Sequence, residues 1–140
     1  MQRSITLGIG LILAVAAVGC DTSYKKHEAL VKDVIVVLND MGDALESVKD
    51  PASAKAAAAK IDGICDRFKD IRDKVDALPK LSKSDDEKLV KNWKSDLDKA
   101  MSRVRAAGQQ ASQKAGATVE LENSIKRFQY IGATFGGIGK

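Results

Sequence analysis

Long stretches of helix-period hydrophobicity alternate along this chain with short polar breaks. Between about Ser23 and Lys49 the apolar residues Leu30, Val34, Val37, Met41, Leu45 and Val48 return every three or four positions, which gathers them on one helical face. The β-branched run Val34-Ile35-Val36-Val37 costs a helix something locally, but the surrounding period outweighs it. Asp50-Pro51 then ends one helix and opens the next, with Asp50 as the expected N-cap and Pro51 at the first helical position. The second helix, about Pro51 to Leu78, has the cleanest pattern. Ala54, Ala57, Ile61, Ile64, Phe68, Ile71, Val75 and Leu78 are spaced 3, 4, 3, 4, 3, 4 and 3 apart, an a/d seam. Such a seam serves an intramolecular bundle and an intermolecular coiled coil equally well.

Leu78 to Lys83 forms a connector, and Ser84-Asp85-Asp86-Glu87 matches the S-x-x-E capping box that opens a helix. The third helix is expected to run to about Ala115. Its inner stripe is Val90, Trp93, Leu97, Ala100, Val104, Ala107 and Ala111, flanked by Leu89 and Met101. Its second half, rich in Ala, Gln and Ser with Gly108 inside, is expected to bury little and to fray or bend. Gly116 is the expected stop and Thr118 the expected N-cap of a last, shorter helix, which shows Leu121, Ile125, Phe128 and Ile131 on one face. Glycines 136, 137 and 139 make a helix expensive after about Thr134, so 135–140 is expected to be a flexible tail. Short connectors force antiparallel neighbours. The expected fold is therefore all-α, an up-down antiparallel bundle of three long helices plus a shorter C-terminal one.

Ahead of the bundle the pattern changes. Arg3 is followed by a run from Ile5 to Val18 in which Thr6 is the one polar residue, and Ala17-Val18-Gly19-Cys20 closes it. About fourteen apolar residues fall short of the roughly twenty that a transmembrane helix needs, but suit the apolar core of a secretory signal. The cysteine makes the stretch more specific, since it resembles the bacterial lipoprotein signal, or lipobox. The resemblance implies a signal peptide over 1–19 cut between Gly19 and Cys20, with diacylglycerol on the Cys20 sulfur and an acylated amino group. An ordinary signal cut elsewhere would leave Cys20 an unexplained thiol. The implied organisation is a signal peptide over 1–19, a lipidated tether over 20–25, a bundle over 26–134 and the tail over 135–140. Asp21 resembles an inner-membrane retention signal of some Gram-negative bacteria. The mature part also resembles a family of small helical bacterial lipoproteins of unknown function, through His27-Glu28, Lys49-Asp50-Pro51-Ala52-Ser53-Ala54-Lys55-Ala56-Ala57 and Ala77-Leu78-Pro79-Lys80. That likeness implies no catalytic residue.

Composition supports helices. Aromatics make up only 4% of the chain, and its two prolines both fall at expected helix boundaries. Removing 1–19 leaves 121 residues, enough for a single core without disulfides or metal. The net charge of +4 is unevenly spread, because 79–140 carries twelve basic and seven acidic residues. Acids interleave with the bases, so a solvated mixed surface is expected rather than a nucleic-acid-binding face. With Cys20 lipidated, Cys65 has no partner within the chain. At the edge of the seam it is expected to be a buried inert thiol, with a disulfide between chains as the alternative.

No catalytic set can be assembled around the single histidine, His27, and no Glu-x-x-His or C-x-x-C-H motif is present to hold iron or haem. Haem on His27 with Met41 or Met101 would need ligands at matching depth, whereas His27 is expected at an exposed helix start. Asp62, Asp66, Asp70 and Asp73 recur along one flank of the second helix near Lys69 and Lys74, the pattern of a salt-bridged solvent face. The expectation is a non-enzymatic, lipid-anchored envelope module that binds an unidentified envelope protein or plays a structural part, without metal or cofactor. The alternatives are a carrier holding a ligand among Ile64, Phe68, Trp93 and Leu97, and a homo-oligomer paired through the seam.

Overall fold

The computed structural model describes residues 14–116 and 118–134, with side chains from 22 to 133 except at position 117. Within them lie four helices: α1 Ala14–Glu46, α2 Pro51–Asp76, α3 Lys83–Ala115 and α4 Val119–Thr134. The bundle is all-α, three long helices and a shorter fourth, and consecutive helices run antiparallel. Alternate helices therefore share a direction, and these pairs are in contact. Tyr24, Glu28 and Asp43 of α1 meet Asn92, Trp93 and Arg103 of α3 in ascending order. Asp62 and Phe68 of α2 meet Ser124 and Phe128 of α4 in the same way. The α1–α2 contact joins the two pairs.

The α2 seam is used inside the chain. Ala54, Ala57, Ile61, Ile64, Phe68 and Ile71 are all buried in one core with Val37, Leu38, Met41 and Leu45 of α1. Val75 and Leu78 are half-buried where the seam runs out. Phe68 stacks on Phe128 with ring centroids 5.2 Å apart and planes 17° from parallel, a geometry that adds about 0.5–1.5 kcal/mol beyond area burial.

Three expectations change. The second half of α3 is not marginal: Ala107, Ala111 and Ala115 are 4%, 0% and 2% exposed and belong to the core. They lie at the end of the bundle where Ala54, Ala57 and Ala58 open α2, and small side chains let backbones approach. By contrast, Val90, Trp93 and Leu97 in the first half are only half-buried, and Met101 is exposed. The cap of α3 is Ser82 rather than Ser84. Its hydroxyl accepts the Asp85 N–H at 3.2 Å and donates to the Asp85 carboxylate at 2.8 Å, while the Ser82 carbonyl accepts Asp86 N–H. The third change concerns α1, which starts upstream of Ser23.

The boundaries at Asp50 and Gly116 match expectation. Asp50 accepts the Ser53 N–H at 2.7 Å, and the Ser53 hydroxyl accepts the Asp50 N–H at 3.0 Å, a reciprocal cap in front of Pro51. Gly116 ends α3 at φ +60°, a left-handed conformation that glycine adopts without a Cβ clash. Thr118 stands at the start of α4, but its hydroxyl donates to the Ala115 carbonyl at 2.9 Å rather than capping α4.

Candidate interaction surface

Residues 1–13 and 135–140 lie outside the described residues, and so do the side chains of 14–21, including the expected lipidation site Cys20 and its neighbour Gly19. What is described is the stretch that follows. The expected tether over 20–25 falls within the unbroken helix α1. Tyr24 is half-buried, its hydroxyl accepts a hydrogen bond from Asn92 of α3 at 3.3 Å, and the Lys88 ammonium lies 5.0 Å from its ring centroid.

One turn further on, Trp93 lies across α1. Its indole N–H donates to Glu28 at 3.3 Å, and Lys32 sits over the ring at 5.2 Å. Above it an open groove of about 470 Å³ runs between α1 and α3, with Ile35, Val36, Trp93 and Ala100 among its lining residues. Val36, on the β-branched run, is 49% exposed, because Val34 and Val37 turn to the core and leave it outward. Lys32, Asp96, Lys99 and Arg103 also line the groove, and each is paired. Lys32 reaches Glu28, Lys99 reaches Asp96, and Arg103 holds Asp43 at 2.6 Å and Glu46 at 2.7 Å. A groove so neutralised offers apolar area without a strong net field.

Arg103, Arg67 and Arg127 each clamp a helix interface among the described residues. Gly42 makes room for Arg103, since a Cβ there would come 3.2 Å from the Arg103 Cδ and Nε. The guanidinium hydrogen bonds hold Glu46 below the usual carboxylate range, and the two carboxylates raise Arg103 in turn. Arg67 of α2 reaches Asp40 of α1 at 2.6 Å. Arg127 of α4 bridges Asp62 and Asp66 of α2, and Ser124 also donates to Asp62. Asp62 and Asp66 of the α2 carboxylate flank thus form a seam to α4, while Asp73 pairs along its own helix with Arg72. Sequence spacing shows pairs within a helix and cannot show which helix comes to lie alongside, so these clamps escaped it.

The remaining candidates are well separated. His27 is half-buried, with Nδ1 2.9 Å from the Ser23 carbonyl. Met41, buried at 1% exposure, is fourteen residues along the same helix, a rise of about 21 Å that excludes joint ligation of one iron. Cys65 is fully buried beside the Ser124 carbonyl, with Sγ 3.9 Å from the oxygen, and burial pushes its pKa up to about 11. A thiol in that position reaches a second chain only if the core opens. Phe68 is taken up by Phe128 and Trp93 by Glu28 and Lys32, so the residues proposed to surround a ligand go to different neighbours. Among the described residues no group of three or more His, Cys, Asp or Glu is placed to hold a metal, and no helix is long and apolar enough to cross a membrane. No protein-family model, curated protein or solved structure matches the chain.

Proposed function

We propose that this chain is a bacterial lipoprotein held in the cell envelope by acyl chains on Cys20, with the helical bundle as a non-catalytic interaction or structural module. The observation that carries the reading is in the sequence. A basic residue, about fourteen apolar or small residues and Ala17-Val18-Gly19 lead directly into Cys20 and then into a polar chain. Two or three acyl chains hold a protein at a bilayer firmly, whereas one binds marginally. The bundle fits a module of this kind. Its interior is filled by its own side chains, Arg67, Arg103 and Arg127 clamp its helix interfaces, and an open groove lies beside Trp93.

Labelled palmitate fed to an expressing bacterium should enter the protein. Cys20→Ser should abolish the label and leave an uncut precursor. Mass spectrometry of the mature protein should find residue 20 first and acylated; an unmodified N-terminus at any other residue contradicts the proposal.

A further inference from the structure

The turn of α1 that follows position 20 is helical rather than a linker. Residues 22–25 continue the helix, and Tyr24 is fixed to α3 by Asn92 and Lys88. From position 20 to Tyr24 is four residues, about 6 Å of helical rise. A lipid anchor at Cys20 would therefore join the packed bundle within little more than one turn. We infer that the anchored protein has no flexible tether: the end bearing the α2–α3 connector rests on the phospholipid headgroups, and the α1–α2 turn is held at a set height above them. The inference rests on the proposed acylation of Cys20. From position 20 to Glu46, 26 residues of α1 set that height at about 40 Å.

The flanks of the bundle favour this pose over one lying flat. Each principal interface carries an exposed arginine clamp: Arg103 with Asp43 and Glu46, Arg67 with Asp40, and Arg127 with Asp62 and Asp66. Pressing a flank onto the bilayer would take some of these charges out of water, which is costly for paired ions. The connector end presents half-buried Leu78 and Leu81 about an exposed Pro79, with exposed lysines at 80 and 83. Lysine can lay its stem along apolar surface and keep its ammonium among the headgroups. The pose gives the module reach, since a partner would meet the α1–α2 and α3–α4 turns well clear of the membrane.

The test uses the full acylated protein in phosphatidylcholine vesicles containing an acceptor-labelled headgroup lipid. A donor dye is placed in turn on Lys80→Cys and Lys49→Cys, and fully buried Cys65 stays unlabelled. Energy transfer should be strong from position 80 and weak from position 49, matching a height near 40 Å. Four Gly-Ser residues inserted between Thr22 and Ser23 should broaden the position 49 distances while leaving the melting temperature unchanged. Equal transfer from both positions, or no response to the insertion, overturns the inference. Mass spectrometry of the same vesicles separates the two failures, because an unmodified Cys20 would instead overturn the lipoprotein reading on which it rests.

Discussion

The two ends of the bundle reach burial by opposite means. At the end where α2 begins and α3 finishes, the core is Ala54, Ala57, Ala58, Ala107, Ala111 and Ala115 around Leu45, Val48 and Leu121, all at most 5% exposed. At the other end Phe68, Ile71, Phe128 and Ile131 fill a wider space, and Trp93 and Leu97 are only half-covered. Alanine buries little area, but it lets backbones approach. The small-residue end is tight because its side chains are small, and the aromatic end is thick and partly open. The two should answer substitution in opposite senses, one intolerant of added atoms and the other of lost ones.

The largest effect is expected at the aromatic end. Phe68→Ala removes a ring that is 5% exposed and stacked on Phe128, and should cost about 3–5 kcal/mol in chemical denaturation. A barely altered midpoint would show that the aromatic pair is not core. At the other end Ala111→Leu adds three carbons at a position 0% exposed, and should cost about 1–3 kcal/mol through overpacking. Ala106→Leu, on the exposed side of the same helix, should stay within about 0.5 kcal/mol. Equal effects from the two leucines would mean that the alanine end is loosely packed.

How far each end was legible follows from the same contrast. Large residues at strict 3-4 spacing announced the α2 seam, and Ile61, Ile64, Phe68 and Ile71 are core as the spacing implied. Ala107 and Ala111 were on the stripe too, but among Gln, Ser and Gly108 an alanine marks equally a close approach and an indifferent surface. Only the neighbouring helix decides which. The start of α1 was misjudged for a related reason. The polar run from Asp21 to Lys26 looks like a tether, and the packing of Tyr24 within it depends on Asn92, distant in sequence. Nothing of the α1/α3 groove was legible, because it requires knowing that these two helices lie together.

Two smaller effects sharpen these assignments. Ser82→Ala should cost about 1 kcal/mol by removing the cap of α3, whereas Ser84→Ala should change stability by no more than about 0.5 kcal/mol. The reverse order would restore the cap to Ser84. Burial raises the Cys65 pKa to about 11, from an ordinary value of 9.0. Its contribution to stability is whole below the unfolded value, where both states hold the proton. Stability should then fall as the pH rises through the window from about 9 to about 11, because the unfolded thiol ionises first. Cys65→Ala should remove that part of the alkaline slope; an unchanged slope would place its origin elsewhere.

Native-state hydrogen exchange, residue by residue, compares the two ends most directly. Amides from Ala107 to Ala115 should exchange as slowly as those from Ile61 to Phe68, through the same global opening, because both segments belong to one buried core. Fast exchange over 107–115 beside slow exchange over 61–68 would mean that the alanine end frays independently, contradicting the account of a bundle closed at that end by its small side chains.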